Sequence, residues 1–131
     1  TTRAPQWTGG GVAFAPEPRR YELKVNRKAR KSALRGALAA QAGRGSLALL
    51  DAAAFAEPST KAAGKLVGSW GAELPLLVVA ERDEDAVVKS FRNLDRTLVV
   101  DPSELSVGSL VWARSLILTE RALARIQEVA A

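Results

Sequence analysis

The residues best placed to do chemistry are cations near the start of the chain: Arg3, Arg19, Arg20, Lys24, Arg27, Lys28, Arg30, Lys31 and Arg35. Guanidinium and ammonium groups in such density neutralise phosphates and release their counterions, which gives affinity for a polyanion without regard to its sequence. Trp7, Phe14 and Tyr21 are spaced among them, and aromatic faces stack on unpaired bases, a mode that RNA favours. Gly9-Gly10-Gly11 permits backbone angles closed to other residues and a close approach to a partner surface. The first 45 residues hold ten Lys or Arg against Glu17 and Glu22, net +8, whereas the remaining 86 hold nine against twelve Asp or Glu, net −3. A basic segment joined to an ordinary globular body is the pattern of polyanion binding.

Other chemistries are narrowed by composition. The chain has no Cys, no Met and no His. Thiol nucleophiles, His bases, disulfides and Cys/His zinc sites are therefore excluded, and no cofactor or metal is expected. The dinucleotide pattern G-x-G-x-x-G does not follow the first apolar run, where Asp51-Ala52-Ala53-Ala54-Phe55 stands instead. Gly64-Lys65-Leu66 lacks the Ser or Thr of a P-loop. Asp51, Glu81, Asp83 and Asp101 lie near strand ends, where carboxylates of an α/β protein could gather as a metal or acid–base site. Cap and turn positions, however, explain most of them. The alternative function they define is a small α/β nucleotide-binding or enzymatic domain with a basic tail. The longest uncharged run, Ala4 to Pro16, is too short and too rich in Gly and Pro to span a bilayer, so no membrane association is expected.

The elements that position these residues follow from periodicity. Residues 1–25 are predicted to be an extended, irregular arm, because Pro16 and Pro18 resist regular structure. Residues 26–131 are predicted to be an α/β body that begins with a basic helix. Asn26 suits the N-cap of a helix over Arg27 to Ala42, ended by Gly43 and Gly45. Its apolar face is read as Ala33, Leu34, Ala37 and Leu38, with Lys28, Lys31 and Arg35 on another. Cations crowd the N-terminal half, where the macrodipole is positive, so an external anion would relieve their mutual cost.

Four apolar runs then alternate with amphipathic segments. Leu47–Leu50, Leu76–Val79, Thr97–Val100 and Ser115–Leu118 read as strands, and Leu76–Val79, which shows no alternation, as one covered on both faces. Ser59 is expected to cap a helix with Ala63, Leu66, Val67 and Trp70 inward and Gly71 as its stop. Asp83, Glu84 and Asp85 read as the acidic first turn of a helix carrying Val87 and Phe91. Ser106 to Ala113 is a short helical turn. Thr119 is expected to cap a last helix with Leu123, Ile126 and Val129 inward. The alternation implies an α/β fold, a small and mostly parallel sheet with flanking helices.

The arm also carries a specific pattern: Arg3-Ala4-Pro5-Gln6-Trp7, Gly9-Gly10-Gly11-Val12, Phe14, Pro16, Pro18-Arg19, and Ala33-Leu34-Arg35 in the basic helix. Pro58-Ser59-Thr60-Lys61, Arg92-Asn93-Leu94 and Leu118-Thr119 follow in order. Together they resemble the bacterial family of large-subunit ribosomal protein four, without its N-terminal portion. The resemblance implies a non-enzymatic, cytoplasmic constituent of the large ribosomal subunit whose partners are ribosomal RNA and neighbouring ribosomal proteins. It implies RNA contacts for the nine cations already named and for Gln6, Trp7, Gly9, Gly10, Gly11 and Tyr21. It further implies that residues 1–25 are the returning limb of a loop reaching the polypeptide exit tunnel, with the loop tip before Thr1. Some relatives also repress their own operon, which makes a messenger RNA leader a further partner to consider. Thr8 and Glu17 depart from the basic residues that many relatives carry.

Overall fold

The computed structural model describes residues 1–130, so the final residue of the predicted body lies outside it. Residues 1–26 contain no helix or strand. The body follows as α1 (Arg27–Gly43), β1 (Leu47–Leu50), a 3-10 turn (Ala52–Ala54), α2 (Thr60–Trp70), β2 (Leu76–Val79), α3 (Asp85–Phe91), β3 (Thr97–Val100), α4 (Val107–Trp112), β4 (Ser115–Thr119) and α5 (Glu120–Ala130).

The four strands form one sheet in the order β1-β4-β2-β3, and every pairing is parallel. Leu77 stands between Leu116 and Leu98 in register. Alternation along each strand feeds two cores. Leu77, Val79, Leu116 and Leu118 pack with Leu34, Leu110, Ala122 and Ile126 beneath α1, α4 and α5. Leu76, Val78 and Ile117 pack on the other face with Ala63, Val87 and Phe91 of α2 and α3, and with Leu50 and Phe55. The predicted α/β architecture is observed. Continuous apolar runs mark these strands because helices cover both faces of the sheet.

Helix boundaries show where local signals act. Ser59 Oγ accepts from Ala62 N–H, and Gly71 ends α2 in the left-handed region at φ 74°. There the Ala72 N–H reaches back to the Val67 carbonyl, as in a Schellman stop. Gly43 is the last residue of α1. Gly45, at φ 68°, makes the reversal into β1. Thr119 is the last residue of β4, and its hydroxyl accepts from Ala122 N–H at 3.2 Å to cap α5.

Two expectations are corrected. Helix α3 begins at Asp85, so Asp83 lies before it and Glu84 holds the N-cap position without a side-chain cap. The Glu84 carboxylate turns inward instead, accepting from Thr119 Oγ1 at 2.7 Å and from Glu81 N–H at 3.0 Å. Val129 is 47% exposed, on the lining of an open groove beside α1, and Ala122 takes an inward place instead.

Candidate nucleic-acid interface

The first eleven residues are curled rather than extended. Successive turns are closed by Trp7 N–H to the Ala4 carbonyl and Gly10 N–H to the Trp7 carbonyl, and Gly11 N–H seals the loop on the Arg3 carbonyl at 2.9 Å. The glycines divide by role. Gly9 has φ 77°, a left-handed angle that L side chains rarely adopt. A Cβ on Gly10 would sit 2.0 Å from the Ala4 carbonyl oxygen. On Gly11 it would meet only an ordinary 3.5 Å contact. The loop's own tightness thus accounts for Gly9 and Gly10 without a partner surface.

This loop displays Arg3, Gln6 and Trp7 to solvent, Trp7 at 58% exposure. Beyond it Phe14 is 96% exposed, and Arg19, Arg20, Tyr21 and Lys24 are all exposed. Arg19 donates from Nη2 to the Tyr21 hydroxyl at 2.7 Å, and its guanidinium carbon lies 5.1 Å from the ring centre. The two side chains therefore present charge and aromatic surface as one unit.

Helix α1 brings the second group of cations. Its buried stripe is Leu34, Ala37, Leu38 and Gln41, whereas Ala33 is exposed. The stripe is displaced from the predicted one because Gln41 completes it. Gln41 Nε2 donates to the carbonyls of Leu110 and Ala113, both at 2.9 Å, and Ser46 Oγ meets Gln41 Oε1. A polar letter hid this inward position, although it lies seven residues after Leu34 on the same helical face.

Residues 27–33 of α1 are all exposed, so about 10 Å of helix overhangs the body. Asn26 has extended backbone angles and its carbonyl accepts from Arg30 N–H, but its side chain makes no cap. No acidic residue lies in the first turn. The opening N–H groups thus lack a side-chain acceptor, at the end where the macrodipole is positive.

The cations split between two directions. Arg27, Arg30 and Lys31 continue the body-facing side of α1 beyond Leu34. They line a groove of about 360 Å³ whose apolar wall includes Leu105 and Ile126. Lys28 and Arg35 lie about 100° further round, by the helical repeat. Lys31 therefore belongs to the groove rather than to the face of Lys28 and Arg35. Among the described residues, no ion pair uses a cation from the first 45 positions.

Glu81, Asp83 and Asp101 line one pocket of about 340 Å³ together with Arg82 and Arg125, while Asp51 lies apart. Asp51 Oδ1 accepts from Ala53 N–H and starts the 3-10 turn. Asp101 accepts from the Ser103 hydroxyl and N–H, and the hydroxyl bond foremost holds its pKa below the ordinary 3.8. Asp85 is likewise lowered, first by the hydrogen bond from Lys89 and then by its charge. Among the described residues, no group of three or more His, Cys, Asp or Glu could hold a metal ion. Among the described residues, no helix is long and apolar enough to cross a membrane.

Comparisons with known proteins agree with the sequence pattern. The chain is 38% identical over 129 residues to large ribosomal subunit protein uL4 of Brevibacillus brevis, covering 98% of this chain and 62% of that protein. It is 40% identical over 126 residues to the uL4 of Rubrobacter xylanophilus, covering 95% and 60%. It is 35% identical over 127 residues to a Clostridium botulinum uL4, covering 97% and 61%. The chain thus spans about three-fifths of the length of these relatives. The family model for the Ribosomal protein L4/L1 family matches residues 1–129, and the chain belongs to that family.

Proposed function

We propose that this chain is a structural component of the large ribosomal subunit that binds ribosomal RNA through residues 1–35. The observation that carries this reading is a set of exposed cations without internal acidic partners, spread over a glycine-shaped loop and an uncapped helix start. Arg3, Arg19, Arg20, Lys24, Lys28 and Arg35 contact phosphates. Arg27, Arg30 and Lys31 contact phosphates across the groove beside α1. Trp7 and Tyr21 pack on riboses or bases, and Gln6 supplies a polar contact beside Trp7. The α/β body holds the overhanging helix in place and meets neighbouring ribosomal proteins. In the assembled cytoplasmic particle the loop supports subunit assembly and the wall of the exit tunnel. No catalytic step and no cofactor enter this role.

Lysine footprinting tests it. On binding large-subunit ribosomal RNA, Lys24, Lys28 and Lys31 become protected from acetylation, while Lys61 and Lys65 on the outer side of α2 do not. Equal protection of both sets, or protection of α2 alone, would overturn the assignment.

A further inference from the structure

All four strands start at one edge of the sheet, and the overhanging start of α1 lies toward the other. The starting edge carries its own cations. Arg44 precedes β1, Arg114 immediately precedes β4 and Arg96 immediately precedes β3. Arg44 and Arg114 flank a polar pocket of about 440 Å³ that also takes in Trp70 and Glu73. Given the strand order, Arg96 lies two strands beyond Arg114, so the row spans roughly 15 Å at ~4.8 Å per strand.

Helix ends alone do not account for this row. Helices α1, α2, α3 and α4 all finish near this edge, and cations there are favoured by the macrodipoles. That argument covers Arg44 and Arg114. It does not cover Arg96, whose backbone sits at φ 48°, where Gly or Asn is the cheaper residue. An arginine kept at a strained position points to a use for its side chain. Arg44 and Arg96 have no ion pair among the described residues. Arg114 meets Glu73 at 3.4 Å, with both groups largely exposed, a contact weak enough to yield to a phosphate. The half-buried Trp70 forms a wall beside both arginines, which suits the ribose or base next to a bound phosphate.

We propose that this edge is a second RNA-backbone site, in which Arg44, Arg96 and Arg114 grip phosphates and Trp70 packs against the adjoining nucleotide. The inference rests on the RNA-binding reading above and extends it: the body bridges two RNA segments from opposite ends of α1, about 25 Å apart.

The test compares the 131-residue wild type with Arg44→Gln/Arg96→Gln/Arg114→Gln and with Arg96→Gly, using purified bacterial large-subunit ribosomal RNA. The triple variant is expected to bind at least tenfold more weakly, with a salt slope shallower by about two. Arg96→Gly is expected to melt no lower than the wild type, because glycine accepts the left-handed angle, and yet to bind several-fold more weakly. Wild-type affinity and slope in both variants, with Lys28→Gln/Arg35→Gln still impaired, would overturn the second site while leaving the first intact. Failure of the wild type itself to bind would overturn the RNA-binding reading and this inference together.

Discussion

Gln41 Nε2 lies 2.9 Å from the carbonyl oxygen of Ala113, 72 residues away. The same nitrogen donates to Leu110, so one amide holds the last turn of α1 against the end of α4. The basic start of α1 is aimed from this anchor together with Leu34, Ala37 and Leu38, because residues 27–33 are all exposed. Replacing Gln41 with Leu keeps the volume but strips partners from two carbonyls, while Ser46 Oγ keeps the main-chain carbonyl of residue 41. The expected cost is about 1–3 kcal/mol for the groups left unsatisfied. A urea midpoint that falls at constant slope would show it, and a midpoint equal to wild type would contradict it.

Thr119 links two elements through one hydroxyl, capping α5 and donating to the inward carboxylate of Glu84. Thr119→Val should destabilise the body by about 1–3 kcal/mol, combining a lost cap with an orphaned acceptor. Glu84→Gln combined with Thr119→Val should be non-additive, since both act on the same bond. Strict additivity in a double-mutant cycle of urea midpoints would argue against the coupling.

The three glycines of the loop should rank by geometry. Gly10→Ala drives a Cβ into the Ala4 carbonyl and should open the loop, exposing the Gly11 amide to hydrogen exchange. Gly9→Ala costs about 1 kcal/mol of backbone strain, and Gly11→Ala is tolerated. None should shift the melting temperature of the body, because among the described residues the loop makes no hydrogen bond to it. RNA affinity should fall most for Gly10→Ala. Equal effects at all three positions would show that the loop is not kept in the bound state.

Acid should weaken the fold through Asp85 and Asp101, whose folded pKa values lie below the ordinary 3.8. A lowered folded value gives stability that is present above pH 3.8 and lost as pH falls through the folded value. Stability carried by these two groups should therefore be level from pH 7 to 5 and decline below about 4. Lys89→Met removes the hydrogen bond and charge behind the Asp85 shift, and Asp101→Asn removes the other titration. Each should flatten part of the acid limb in thermal melts across pH. Asp85 is exposed and Asp101 only half-buried, so the effects should be small and should shrink further in salt.

Much of this fold was legible in the sequence, for a physical reason. Leu76–Val79 and Ser115–Leu118 read as strands because a sheet covered on both faces has no polar positions to disguise it. Gly71 and Ser59 marked α2 because caps act locally. What could not be read depends on contacts distant in sequence. Gln41 looked polar, and therefore outward, until Leu110 and Ala113 supplied its acceptors. Glu84 looked like part of an acidic first turn until Thr119 arrived from β4. Lys31 seemed to side with Lys28 and Arg35, and only the position of α5 and the segment after β3 shows that it faces a groove. Gly9 and Gly10 were marked as unusual, but their reason lies in a loop closed by Arg3 and Gly11. Arg96 gave no signal, since a left-handed angle at an arginine leaves no trace in composition.

The most direct measurement is the salt dependence of binding between this chain and large-subunit ribosomal RNA. About nine phosphate contacts through the loop, the arm and α1 should by themselves make the logarithm of the binding constant fall against the logarithm of salt with a slope of roughly −6 to −8. Each Gln substitution among Arg27, Lys28, Arg30, Lys31 and Arg35 should flatten that slope by ~0.7–0.9. A slope near zero, or one unmoved by these substitutions, would contradict the account.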